Sequence, residues 1–133
     1  MLDFNSQTLN ARVPITVITP TGDIDSSNFR TFQACVDEQV ANGARYILLN
    51  FQTTAHISSA GLRVIHNLFN KLRELHKEIN DDELRKRMSV GAYKSPYLKV
   101  CNLSPNMAEV FQLGGFDIYI ELLQDETTAL KSF

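Results

Sequence analysis

The chain has 133 residues, 44% of them hydrophobic, with 13 basic against 15 acidic side chains and a net charge of -2. That is the size of one domain around one core, since a second core would leave too little buried surface in either half. Such a balance of charge offers no long-range field to a nucleic acid or an anionic membrane, which sets generic polyanion binding aside. Cys35 and Cys101 lie far apart in apolar contexts, without histidine at metal-ligand spacing. They read as buried free thiols of a reducing compartment, and neither a metal nor another cofactor is implied. The opening Met-Leu-Asp-Phe-Asn-Ser has no basic or apolar targeting region, and no unbroken apolar span reaches transmembrane length. A cytoplasmic protein without membrane insertion is expected.

In chain order, the first strand signal is the β-branched run 16–19, after Val13-Pro14-Ile15, ending at the turn Pro20-Thr21-Gly22. Ser26 and Ser27 then offer N-cap oxygens to a helix on which Phe29, Phe32, Val36 and Val40 recur at helical spacing until Asn42-Gly43 stops it. Residues 46–51, Tyr-Ile-Leu-Leu-Asn-Phe, are apolar almost without alternation, the pattern of a central strand covered on both faces. Beyond Ser58 and Ser59, Leu62, Ile65, Leu68, Phe69, Leu72, Leu75 and Ile79 repeat at three- and four-residue steps, predicting a helix laid on a sheet. Leu98-Lys99-Val100-Cys101 reads as a short strand. Ser104-Pro105 pairs a cap with a first-turn proline, opening a helix through Met107, Val110 and Phe111 that Gly114-Gly115 ends. Residues 116–120 read as one more strand, and 125–130, led by Asp125, as a last helix. The alternation predicts an α/β fold: one domain over 1–133, a small mixed and largely parallel sheet with helices packed on it.

The segment 76–96 is longer than an ordinary helix-to-strand connection. Asp81, Asp82 and Glu83 ahead of Arg85, Lys86 and Arg87 favour a short solvated helix within an inserted or extended helix-loop segment. A sharper reading makes it a partner-docking element using Met88, Tyr93 and Tyr97.

The paired serines Ser58 and Ser59 at the mouth of the long helix admit three readings: helix cap, nucleophile, or acceptor of a covalent charge. The nucleophile needs a base, an orienting acid and an oxyanion hole. There is no G-x-S-x-G elbow, and His66 lies seven positions past Ser59, about two turns along the helix and beyond hydrogen-bond reach. His56 is the only local base, His76 reads as a solvated residue near a helix end, and no enzyme is expected.

Thr21-Gly22-Asp23-Ile24-Asp25 after a strand, then 46–51, then Ile57-Ser58-Ser59-Ala60-Gly61-Leu62-Arg63-Val64-Ile65, and finally Val100-Cys101-Asn102-Leu103-Ser104-Pro105 occur in this order. Together they resemble the successive signatures of STAS domains, the anti-sigma-factor antagonist family. The resemblance spans nearly the whole chain except 76–96. It implies a single STAS-like domain whose serine at the start of the second helix is phosphorylated by an anti-sigma factor with serine kinase activity and restored by an opposing serine phosphatase. Aligning Gly61 and Leu62 with the family pattern implies Ser59 as the phosphoacceptor, with Ala60 in the small position. The family aspartate then falls on Ser58, which becomes a second candidate acceptor. Gly22, Asp23 and Asp25, with Ser58, Ala60, Gly61, Leu62 and Arg63, are the implied partner-binding residues. The implied function is an anti-sigma-factor antagonist, a partner-switching regulator of transcription that makes no direct contact with nucleic acid. The alternative is an unphosphorylated interaction or small-ligand module serving a transporter or scaffold.

Elementary physics is compatible with the acceptor. The free N–H groups and positive dipole end of a helix N-terminus favour negative charge, so a phosphate there need not unfold the domain. It would bring about -1.5 to -2 charges to a docking face.

Overall fold

The structure is a computed structural model and describes residues 2–77, 81–91 and 93–133. The elements are β1 (Asp3–Asn10), β2 (Pro14–Thr21), α1 (Phe29–Ala41), β3 (Ile47–Asn50), α2 (Ser59–Leu75), α3 (Asp81–Ser89), β4 (Leu98–Cys101), α4 (Pro105–Leu113), a 3-10 turn (Phe116–Ile118), β5 (Glu121–Leu123) and α5 (Glu126–Ser132). One five-stranded sheet runs in the order β1-β2-β3-β4-β5, with β1 antiparallel to β2 and the remaining pairs parallel. The α/β fold with a mixed, largely parallel sheet is therefore as the alternation predicts.

The strands divide their apolar residues between two faces, as period-two geometry demands. Ile18, Ile47, Leu49, Leu98 and Val100 join α1 to α4 in the larger cluster, whereas Ile15, Val17, Leu48 and Cys101 meet Ala129 of α5 on the other face. That is why β3 carries no polar alternation: all four of its residues are buried, at the centre of the sheet. Lys99 of β4 also points to the α5 side, only 6% exposed. Its Nζ donates to Glu121 Oε1 at 2.8 Å and to the carbonyl of Ser132 at 3.0 Å, so a buried cation is paired while it ties down the last helix.

β1 carries no apolar run and escapes a reading by hydrophobic pattern. It is an outer strand whose Asn5, Ser6, Gln7 and Thr8 are exposed, and only Phe4 and Leu9 pack against the two clusters. Its register with β2 runs unbroken from Asp3↔Thr21 to Asn10↔Pro14.

Four expectations are corrected. Ser26 and Ser27 do not cap α1; Asn28 occupies the N-cap without a side-chain cap bond, because its Oδ1 accepts from Asp25 N–H at 2.8 Å and its Nδ2 donates to the Asp23 carbonyl at 2.9 Å. Residues 116–120 are not a strand: Gly115 turns the chain at φ 77°, and the 3-10 turn buries Phe116 and Tyr119 three residues apart before β5 begins at Glu121, opposite Lys99. His76 is not solvated; Nε2 donates to the Arg45 carbonyl at 2.9 Å and the ring stacks on Tyr97 with centroids 3.7 Å apart. The docking reading of Met88, Tyr93 and Tyr97 fails because Tyr93 is buried and the other two pack half-buried against the larger cluster. The solvated helix in this segment is α3, held by Leu84 beneath and by an Arg73–Asp81 ion pair at 2.7 Å. α2 follows its predicted periodicity through Leu75, while Ile79 lies outside the described residues. Both cysteines are free thiols, but only Cys101 is buried as expected and Cys35 is half-buried; burial pushes Cys101 up to about 12, which holds it protonated.

Candidate functional site

Where β2 and β3 end, the chains leaving them stay paired. Thr21 bridges Thr53 and Ile24 bridges Ile57 in parallel. Gly22 N–H donates to the Thr53 carbonyl (3.0 Å), Ile24 N–H to His56 (3.0 Å), and Ser58 N–H to Ile24 (2.8 Å). Gly22 sits at φ 113°, a left-handed conformation that only glycine adopts freely, and this permits the bend. The Pro20 carbonyl accepts from the hydroxyls of Thr53 (2.7 Å) and Thr54 (3.1 Å), which satisfy it where β3 has veered away. These two threonines shape the corner yet went unnoticed in the sequence, since nothing local tells that Thr-Thr faces Pro20.

The acids of the first loop hold backbone in place. Asp23 Oδ1 accepts from the amides of Ala55 (3.3 Å) and His56 (3.2 Å), linking the loop to the turn that precedes α2. Asp25 Oδ1 accepts from the Ser27 hydroxyl (2.5 Å) and amide (2.8 Å); the hydroxyl bond above all lowers its carboxyl below the ordinary range. Asp23→Ala should therefore destabilise the domain by about 1 kcal/mol, and Asp23→Asn, whose amide oxygen still accepts, by distinctly less. Urea denaturation of the two variants checks this; equal losses would mean that the carboxylate charge, not the bonds, matters.

α2 begins where Ser58 leaves the extended region at φ -85°, ψ 172°, and its Oγ accepts from Gly61 N–H at 3.4 Å. Ser58 is thus the N-cap. Gly61 is buried between Ile57 and Ile24, and a Cβ on it would lie 2.6 Å from Ile57 Cγ1 and 2.8 Å from Ile24 Cγ2. Leu62 turns into the larger cluster. Ser59, the first helical residue, is exposed, and its hydroxyl makes no hydrogen bond among the described residues. Ala60 is half-buried beside it and Arg63 is exposed, while the first turn of α2 carries no acid.

The structure so gathers Gly22, Asp23, Asp25, Ser58, Ser59, Ala60, Gly61 and Arg63 around one corner, with Leu62 anchoring it from beneath. Ser104, the N-cap of α4, approaches from the far side, its Oγ 3.4 Å from the Ala55 carbonyl. His66 does not join. Asn70 Nδ2 donates to its Nε2 at 3.2 Å and its Nδ1 lies 3.0 Å from Tyr119 Oη, so neither ring nitrogen is available as a base for the serines. Burial pushes the Tyr119 phenol up to about 12, keeping it a neutral partner of that ring. Among the described residues no three His, Cys, Asp or Glu side chains converge as a metal site, and no helix is long and apolar enough to cross a membrane.

With this geometry in place, comparison with known proteins assigns the family. The STAS domain model matches residues 7–79. BtrV of Bordetella bronchiseptica, assigned by its name to the anti-sigma factor antagonists, is 30% identical over 112 residues, covering 84% of this chain and 80% of that protein. Among solved structures, a Thermotoga maritima protein assigned to the same group superposes with a TM-score of 0.72 at 17% identity, covering 96% of this chain and 92% of that one. The phosphorylated form of the Bacillus cell fate determinant SpoIIAA superposes with a TM-score of 0.62 at 18% identity, covering 97% of each chain. The structural likenesses establish the shared fold, and the matched family model together with the BtrV identity establishes that this chain belongs to the STAS domain family.

Proposed function

We propose that this chain is an anti-sigma factor antagonist: unmodified, it binds an anti-sigma factor with serine kinase activity in the cytoplasm and relieves inhibition of a sigma factor. Phosphorylation of Ser59 ends that binding and a serine phosphatase restores it. The observation that carries the reading is the division of labour between the two serines. Ser58 is occupied as the N-cap, whereas the Ser59 hydroxyl is exposed and unbonded among the described residues on the first turn of α2. The relatives assigned to the anti-sigma factor antagonists support the choice of partner.

A phosphate on Ser59 would extend from a helix N-terminus that tolerates negative charge, so the fold survives while the docking face becomes strongly negative. Weakening a micromolar complex tenfold requires only about 1.4 kcal/mol, well within reach of a desolvated phosphate at an interface. Pull-downs from lysate of the source cells with wild type, Ser59→Ala and Ser59→Asp as baits test this. Wild type and Ser59→Ala should capture an ATP-binding kinase that Ser59→Asp loses, by tenfold or more. Capture of the same proteins by all three baits would return Ser59 to the role of a plain surface residue.

A further inference from the structure

Arg63 follows Ser59 by four residues on α2, and both are exposed. Residues four apart lie on one helix face with Cβ atoms about 5–6 Å apart, within reach of a guanidinium and a phosphoserine. Neither side chain has another partner: among the described residues Ser59 makes no hydrogen bond, and Arg63 makes neither an ion pair nor a hydrogen bond. On its own turn of the helix this pair meets no competing carboxylate. The first turn of α2 holds no acid, and Ser58, its N-cap, is uncharged. In the facing loop, Asp23 is bonded to the Ala55 and His56 amides and Asp25 to Ser27.

We propose that Arg63 is the built-in counter-ion of a phosphate on Ser59. In the phosphorylated chain its fork holds two phosphate oxygens; in the unmodified chain it is free to meet an acidic group of the partner. The inference rests on the reading of Ser59 as phosphoacceptor. Acid ahead of base at this spacing is the stronger orientation, the phosphate itself suits the helix N-terminus, and Arg binds phosphate through parallel N–H bonds that Lys cannot reproduce. Phosphorylation then acts twice on the docking face. It adds negative charge, and it withdraws the cation that the partner would have used.

The test installs the phosphate without any kinase, by genetically encoding phosphoserine at 59 in the full chain with Arg63, Arg63→Gln or Arg63→Lys. The second ionisation of the phosphate is followed by phosphorus NMR and stability by thermal melting, at low and high salt. His56, which precedes the helix, Asp23 and Asp25 are present in every variant, so differences between variants belong to position 63. The expected result is a phosphate pKa lower by about 0.5 with Arg63 than with Arg63→Gln. A gain of about 2 °C in melting temperature on phosphorylation should shrink in Arg63→Gln and in high salt, with Arg63→Lys intermediate. Equal phosphate pKa values and equal melting shifts in all three would overturn the proposal. The pull-down above does not depend on this result, so loss of the Arg63 role would leave the antagonist reading to stand or fall by itself.

Discussion

Gly61→Val is expected to destabilise the domain by about 3 kcal/mol and to dislodge the first turn of α2 from the loop that carries Asp23. A Cβ at this position would meet Ile57 Cγ1 at 2.6 Å and Ile24 Cγ2 at 2.8 Å. These are branch atoms of buried side chains, 8% and 1% exposed, that sit directly beneath the paired backbone of Ile24 and Ile57. Relief therefore requires the two loops to part, with strain on the bond from Ser58 N–H to the Ile24 carbonyl. Gly61→Ala separates the two forces at work. Helix propensity alone favours alanine over glycine by about 1 kcal/mol, whereas overpacking costs about 1–3 kcal/mol. A net loss is expected, read as a lower urea midpoint with an unchanged slope. A gain in stability would show that the corner is looser than described.

Phe111→Ala should cost more, about 3–5 kcal/mol, the usual range for removing a buried ring. Phe111 is fully buried on α4, with its ring 6.1 Å from Phe51 at the end of β3 and 5.7 Å from Phe116 in the 3-10 turn. It joins the end of the central strand to the turn that sets where β5 starts. The cavity cannot close easily, since Phe51 is itself 1% exposed and Phe116 only 9%. Calorimetric melting checks the magnitude; a loss under 1 kcal/mol would mean that the neighbouring rings collapse into the gap.

The parts of the fold legible in the sequence are those with a strong period. β3 and β4 are short, mainly apolar runs buried on both sides of the sheet, β4 broken by the paired Lys99, and α2 repeats its core residues at three- and four-residue steps. The α4 cap, Ser104, was visible because it accepts from the N–H three residues on, the local bond that residue type favours, and Asp125, read as the first acid of the last helix, makes the same bond as its N-cap. β1 was hidden because an outer strand with polar exposed residues owes its place to the ladder with β2, not to its own composition. The run 116–120 looks like a strand because it is aromatic and β-branched, but the left-handed Gly115 and the burial of Phe116 and Tyr119 impose a 3-10 turn first. At the site, helix-start chemistry tells that a serine caps α2, but the division between Ser58 and Ser59 was implied only by the family resemblance. What Asp23 bonds to could not be anticipated, because its partners depend on how two loops distant in sequence align.

The central claim is that Ser59, not Ser58, receives the phosphate, and the most direct measurement is phosphopeptide mapping by mass spectrometry of the protein purified from its source cells with phosphatases inhibited. The predicted result is a singly phosphorylated peptide with the phosphate on Ser59, leaving the Ser58 hydroxyl to accept from Gly61 N–H as in the unmodified chain. Phosphate on Ser58, or a chain unmodified under every growth condition tried, would contradict the account.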